Sequence, residues 1–236
     1  MKKLTLTLIL GIIGINSFSQ DTFEGTISFE VNIIGENVEQ MAQFMPQGYE
    51  FSFKGNKSIF KISGGMMGQM MGEIIVDNQT GNSYMINHAE KIAYKMENAV
   101  KESVEDMEIS LPTITKLDEE VEILGYRCQK YKVVSTTGGQ SIESFIWVSK
   151  DIVVPYPKNS GDLPGGSGAF YFPELEGFPL KMINNLNSGM GMVKMEMLAV
   201  NVERKALDDS LFAIPEGYEK KNFDISMFMN PMMKKN

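Results

Sequence analysis

The chain has 236 residues, with 30 acidic and 22 basic side chains and a net charge of −8 at pH 7. This acidic balance argues against nucleic-acid binding, because phosphate backbones require a basic protein surface. The single cysteine excludes an intramolecular disulfide, so the fold has to depend on its packed core.

The first 20 residues have the three parts of a cleavable secretory signal peptide. A basic start is followed by the apolar stretch 4–15 and the polar end 16–20. The apolar stretch is shorter than the roughly 20 residues that a helix needs to cross a bilayer. We therefore predict cleavage near Gln20 and a periplasmic or secreted protein that does not span the membrane.

After this segment the sequence predicts a single β-rich domain over residues 21–223 and a methionine-rich tail over residues 224–236. Apolar and polar residues alternate strictly over residues 26–33, which predicts a strand with one buried side. Residues 36–45 place apolar side chains at helical spacing before Pro46, which predicts a short amphipathic helix.

Short strand patterns then follow in quick succession, separated by turn signals. The further predicted strands are 49–54, 58–62, 73–76, 82–87, 90–96, 121–124, 127–134, 141–148, 178–183 and 192–202. Residues 97–106 are expected to form a linker or one helical turn, residues 155–168 a loop, and residues 208–212 a turn or short helix. About nine to eleven short strands without long alternating helices favour an antiparallel meander over a parallel sheet. The pattern leaves a sandwich, a closed barrel and an open curved sheet as alternatives.

No catalytic constellation is visible in the sequence. His88, the sole histidine, is predicted to be an exposed turn residue, because no nucleophile and orienting carboxylate are spaced around it. The acidic runs 102–108 and 118–122 lack the spacing of a calcium loop and are predicted to be solvated surface. Cys128 is interpreted as a small buried hydrophobic residue, and with one histidine it cannot form a usual zinc site. We therefore expect no enzymatic activity and no cofactor.

Methionine is the unusual feature of the composition, with 19 residues. Twelve of them lie in three clusters, Met66–Met71, Met190–Met197 and Met227–Met233. Thioethers are soft ligands that select Cu(I), and flexible apolar methionines also suit adaptable binding surfaces. The first cluster is interpreted as a Gly-rich loop. In the second, the predicted strand places Met192 opposite Met195 and Met197, which favours an apolar strand over a metal cage.

A resemblance to a known family is carried by five segments in a fixed order: 23–27, 123–131, 147–152, 177–181 and 211–218. Together they resemble the domain-of-unknown-function family 4412 of secreted bacterial proteins, which is distantly similar to the LolA/LolB lipoprotein carriers. The resemblance implies a mainly β fold with short α-helices, in which a curved, half-open antiparallel sheet forms an incomplete barrel with short helices on its concave face. In the carriers such a cavity holds acyl chains.

The leading hypothesis is a non-enzymatic binding protein that accepts a hydrophobic ligand, either a lipid or a lipidated chain. The candidate lining residues are Phe29, Val31, Met41, Met45, Trp147, Phe170, Phe172 and Met195. One alternative is a Cu(I)-binding protein, which clusters 66–71 and 227–233 would favour if they met in space. Another is a structural or interaction protein of the envelope that docks on a protein partner through residues 224–236.

Overall fold

The structure is a computed structural model that describes residues 22–35, 38–96, 112–137, 140–155, 175–188 and 191–224. The elements in chain order are β1 (Gly25–Gly35), α1 (Val38–Phe44), β2 (Gly48–Lys54), β3 (Lys57–Ser63), α2 (Gly65–Met71), β4 (Glu73–Asp77), β5 (Ser83–Asn87), β6 (Ile92–Lys95), β7 (Thr113–Ile123), β8 (Tyr126–Thr137), β9 (Gln140–Ser149), β10 (Phe178–Ser188), β11 (Gly191–Arg204), a 3-10 helix (Asp209–Phe212) and β12 (Glu219–Asn222).

The twelve strands form one sheet in the order β12-β6-β5-β4-β3-β2-β1-β11-β10-β9-β8-β7. All neighbours are antiparallel except β12 and β6, which are parallel. Strand β1 lies inside the sheet, with the β2–β6 meander on one side and β11, β10, β9, β8 and β7 on the other. The sheet is curved and open, with β12 and β7 as its edges, which confirms the predicted fold class.

Two strand predictions were incomplete. The strand predicted at 121–124 is the end of β7, which begins at Thr113, and β12 was not predicted. The unpredicted segments, 113–120 and β12, are rich in charged residues, and β12 is exposed along its whole length, so neither shows the alternation that marks a half-buried strand.

Over β1–β6, one face of the sheet, called here the inner face, carries the larger apolar cluster. A row of directly paired, buried side chains crosses β1 to β6 on this face: Ile27, Phe51, Phe60, Ile74, Met85 and Tyr94. Since side chains alternate between faces along a strand, this row also fixes the register of all six strands.

The sheet curls toward the inner face. The rings of Phe51 in β2 and Phe178 in β10 lie 5.6 Å apart, although β1 and β11 separate their strands. On a flat sheet three strand spacings would hold them about 14 Å apart. Phe53 makes a similar edge contact with Phe178 at 5.4 Å. The inner face is therefore the concave one, and aromatic contacts across it hold the curve.

The two short helices meet at one end of the sheet. Helix α1 agrees with the helix predicted at 36–45, whereas α2 corrects the interpretation of cluster 66–71 as a loop. Methionine is a good helix former, and this preference prevails over the glycines of the segment. Gly65 allows the close approach of the helices, because a Cβ there would lie 2.1 Å from the carbonyl oxygen of Met45. Met71 of α2 packs against the inner apolar cluster.

The opposite, outer face is covered over β3–β6 by the segment 205–218, called here the strap. Its Leu207 and Phe212 are buried in a second apolar cluster with Ile59, Ile75, Ile86 and Ala93. Glu24 anchors the strap, because its carboxylate accepts a hydrogen bond of 2.9 Å from the backbone N–H of Leu207. The strap leads into β12 at the edge of the sheet.

The predicted signal peptide 1–20, the linker 97–106, most of the loop 155–168 and residues 225–236 of the predicted tail lie outside the described residues and stay predictions. Within the described ranges, no helix is long and apolar enough to cross a membrane.

We expect Phe51→Ala to lower the free energy of unfolding by about 3–5 kcal/mol, because the ring is buried among other aromatic rings. Urea unfolding followed by circular dichroism measures this loss. Phe44→Ala is the control: the ring of Phe44 is 46% exposed, and its removal should change the stability by less than about 0.5 kcal/mol. Equal losses in the two variants would contradict the position of the core.

Candidate functional site

The structure brings three of the predicted lining residues to the inner face. Phe29 and Val31 alternate with outer residues on β1, and Met195 of β11 faces the same way because it pairs with Ile33. Phe29 is buried in the aromatic core, 5.7 Å from the ring of Phe51. Val31 and Met195 are only half-buried. The part of this surface that is open to a ligand therefore lies around Val31 and Met195.

Trp147 does not lie with this group. Its neighbour Ile146 pairs with inner residues, so Trp147 points to the outer face. Both faces of β9 are apolar, since Phe145 and Trp147 alternate with Ile146 and Val148, and such a strand does not reveal which face turns inward.

Of the remaining predicted residues, Met45 follows α1 and is half-buried, and Met41 lies within α1, where its side chain is not described. Phe170 and Phe172 lie outside the described residues.

On the outer face Trp147 is enclosed by two ion pairs. The ammonium groups of Lys130 and Lys181 lie 4.9 and 5.1 Å from its ring centroid. Lys130 donates to Glu119 at 2.7 Å, and Lys181 pairs with Glu196 at 2.7 Å. The lysine stems cover the indole, and the cations attract its π-face. This arrangement gives Trp147 a structural role.

A cross-strand row on the inner face leads from the middle of the sheet to its β7 edge. The directly paired residues are Val31, Met197, Met182, Ile146, Tyr131 and Lys116. The first four are apolar, Tyr131 is half-buried, and Lys116 is exposed. The inner face thus changes from apolar to charged along one row.

A pocket of about 630 Å³ lies at the charged end of the inner face, between β7, β8 and β9. This volume is within the usual range for small-ligand sites. Charged side chains of both signs line the pocket: Lys116, Arg127 and Lys150, and Glu120, Glu122 and Asp151. Its lining also includes Gln129, Tyr131 and Val148. None of the predicted lining residues contributes to this pocket.

The acidic residues of the run 118–122 are exposed, as the sequence predicted, and the run is part of β7. The sequence did not reveal that two of its carboxylates, those of Glu120 and Glu122, line a pocket. Alternation within 120–122 was the one available signal, since it places these two residues on one face of a strand.

A β-bulge in β7 keeps the charged side chains on the inner face, where they line the pocket. Lys116 pairs with Tyr131 and Glu120 with Gln129, so β7 advances four residues where β8 advances two. β7 therefore contains two extra residues. Because this number is even, the alternation of faces is kept, and Lys116, Glu120 and Glu122 all face inward. A bulge with one extra residue would have turned the two glutamates outward.

Gln129 stabilises the bulge from the other strand. Its side-chain nitrogen donates to the carbonyl oxygens of Leu117 at 2.6 Å, Glu119 at 3.1 Å and Lys130 at 3.1 Å. Carbonyls that a bulge removes from the ladder need such a donor. Gln129 is only 9% exposed, so its amide is a fixed part of the pocket.

Most charges in the pocket are not paired with each other. Glu122 and Arg127 are opposite each other on β7 and β8, yet no ion pair within 4.0 Å joins them. Among the described residues, Lys116 and Glu120 also have no ion-pair partner, whereas Lys150 binds Glu176 at 2.7 Å. The pocket therefore offers both cationic and anionic groups to a ligand.

His88 is an exposed turn residue, as predicted, but it has partners that the sequence did not reveal. Its Nδ1 lies 2.8 Å from the hydroxyl of Tyr218, and its Nε2 lies 3.9 Å from Glu73. Tyr218 belongs to the strap and packs against the outer cluster. His88 therefore joins the strap to the sheet.

Cys128 is buried, which confirms its interpretation as a small hydrophobic residue. Burial raises the pKa of its thiol to about 11, so the group stays protonated and unreactive at neutral pH.

The comparisons with known proteins place the chain by family. The family of the domain of unknown function DUF4412 matches residues 23–218. The chain belongs to this family. None of the curated proteins matches it.

Among solved structures, a structure of PNGF-II in a C2 space group is similar, with 16% identity and a TM-score of 0.44. The similar region covers 89% of this chain and 32% of the PNGF-II chain, so this chain spans about a third of that length.

We expect Glu196→Gln to lower stability near neutral pH and to have little effect in acid. The hydrogen bond from Lys181 holds the pKa of Glu196 below its ordinary value of 4.5. A depressed folded-state pKa stabilises the fold above the ordinary value, and this stabilisation is lost as the pH falls through the folded-state pKa. The measurement is the midpoint of urea unfolding of the wild type and of Glu196→Gln, from neutral pH to well below 4.5. The two midpoints should differ only in the upper part of this pH range.

The control for this experiment is Glu30→Gln, an exposed residue on the outer face of β1 without an ion pair in the described structure. A difference that persists unchanged in acid would contradict the role of the Lys181–Glu196 pair.

Proposed function

We propose that this chain is a non-enzymatic, exported binding protein that accepts a hydrophobic ligand, a lipid or a lipidated chain, on the inner face of its sheet. The observation that carries the proposal is the half-buried apolar surface of the concave face around Val31, Ile33 and Met195.

The inner face is divided between a closed and an open part. Around Phe51 and Phe178 the aromatic rings fill the curve and leave no surface for a ligand. Farther along β1 and β11, the apolar side chains of Val31, Ile33 and Met195 are only half-buried. We call these three residues the apolar strip. An acyl chain on the strip would complete the burial of side chains that the protein covers only in part.

The position of the helices supports the same proposal. Helix α1 directly follows the strip along the chain, and none of the residues of α2 is buried. Phe44 and Met66 expose 46% and 39% of their surface next to this end of the sheet. Flexible apolar side chains of this kind suit ligands of variable shape. The distant similarity to lipoprotein carriers, whose cavity holds acyl chains, points to the same ligand class.

We expect the mature protein to bind a fluorescent fatty acid and Met195→Glu to weaken this binding by about tenfold or more, because a carboxylate against an acyl chain is costly to desolvate. Leu198→Glu is the matched control, since Leu198 is also half-buried on β11 but faces outward. Fluorescence titration of the three proteins measures the effect. Equal loss in both variants, or no binding by the wild type, would overturn the proposal.

Native mass spectrometry of the mature protein, recovered without detergent, gives a second test. We expect an adduct of lipid mass that is lost on denaturation.

Cu(I) binding is a second candidate function, and one observation favours it. The four methionines of α2 are all at least partly exposed, and the helical spacing of 66 to 70 and 67 to 71 places their thioethers in neighbouring pairs. Cluster 227–233 lies outside the described residues, so the proposed meeting of the two clusters stays untested.

Substitution of methionine by leucine separates the two functions. We expect a Met66→Leu and Met70→Leu double variant to keep fatty-acid binding, because leucine preserves the apolar volume but lacks the sulfur. If α2 is a copper site, competition with a Cu(I) chelator will show binding by the wild type and its loss in the variant. An unchanged Cu(I) titration would remove the copper function.

A further inference from the structure

The pocket between β7, β8 and β9 combines charges of both signs on a small surface. Lys116, Arg127 and Lys150 provide cations, while Glu120, Glu122 and Asp151 provide anions. A ligand with charge of one sign would be attracted by one group and repelled by the other. A ligand that carries both charges close together complements the whole lining.

The opposed pair Glu122 and Arg127 is the centre of this complementarity. The two residues pair across β7 and β8, and both face inward. No ion pair within 4.0 Å joins them, so each retains its capacity for a ligand. A zwitterion between them would place its cationic group at Glu122 and its anionic group at Arg127.

Gln129 is an uncharged polar residue of the pocket lining. Its side-chain nitrogen is fully engaged by three carbonyl oxygens, so only its side-chain oxygen is left for a ligand. An amide oxygen accepts hydrogen bonds and does not donate them. A primary ammonium has three N–H groups for this oxygen and for Glu120, the residue paired with Gln129, whereas a quaternary ammonium has none.

The pocket also has an apolar side. Tyr131 and Val148 form its apolar part, and Tyr131 packs against the inner cluster. The row from Tyr131 through Ile146, Met182 and Met197 ends at Val31 of the strip. Ile146, Met182 and Met197 are at most 2% exposed, so the middle of this row is covered by the protein. Acyl chains attached to a head group in the pocket would therefore leave it beside Tyr131, which is half-buried.

From this arrangement we infer that the pocket binds a zwitterionic head group with a primary ammonium beside an anionic group, as in an ethanolamine phospholipid. The inference rests on the proposed function, because that function makes the ligand a lipid. The same chemistry occurs in free amino acids, which the experiment has to distinguish from the lipid.

Isothermal titration calorimetry with soluble, acyl-free head groups tests the inference. We expect glycerophosphoethanolamine to bind about tenfold or more tightly than glycerophosphocholine, glycerol phosphate or free alanine. Glu122→Gln and Arg127→Gln should each weaken this binding by about fivefold or more. Glu143→Gln is the control, because Glu143 of β9 pairs with Lys132 outside the pocket. All three substituted residues are at least partly exposed, and urea unfolding checks that the variants are folded.

Each outcome decides the inference. Equal binding of glycerol phosphate would make the pocket a simple anion site, and equal binding of glycerophosphocholine would remove the role of the N–H donors. Tighter binding of alanine would assign the pocket to a free amino acid rather than a lipid. If no head group binds while the fluorescent fatty acid still does, the pocket inference fails and the proposed function stands; if the head group binds and the fatty acid does not, the proposed function fails.

Discussion

The contact between Phe51 and Phe178 sets the shape on which the rest of the structure depends. These rings belong to strands separated by two others, and they meet only because the sheet curls toward its inner face. The curl divides that face into a closed aromatic core and a half-buried apolar part toward α1. Without the curl, the core rings would be exposed, and the inner face would have no concave surface. Packing at one end thus creates the candidate binding surface at the other.

The bulge in β7 has a comparable effect on the charges. An edge strand rich in acidic residues would ordinarily serve as protection against edge-to-edge pairing. Here the even insertion keeps Glu120 and Glu122 on the inner face, and the amide of Gln129 holds the extra carbonyls in place. The same segment turns Glu119 outward to Lys130. One local irregularity therefore distributes the carboxylates between two faces with different roles.

The alternation in residues 26–33 was enough to predict β1, and repeated turn signals were enough for the antiparallel class. Helix α2 was not predicted, because its glycines were interpreted as loop signals, although its four methionines have helical spacing and share one face. The outward position of Trp147 was not predictable either, since both faces of β9 are apolar. The pocket depends on the register of three strands, and no pattern within one strand encodes a register with two bulged residues.

In the half of the sheet formed by β7–β11, both faces carry charged residues, but among the described residues the charges are paired on one face and unpaired on the other. On the outer face, Lys130 and Lys181 each have a carboxylate partner at 2.7 Å and both lie over Trp147, so these charges are satisfied within the protein. On the inner face, Arg127 and Glu122 are opposite each other and remain apart. A structural surface gains from closed ion pairs, whereas a binding surface needs charges that a ligand can still engage. This contrast within one half of the sheet is the physical reason to seek the ligand on the inner face.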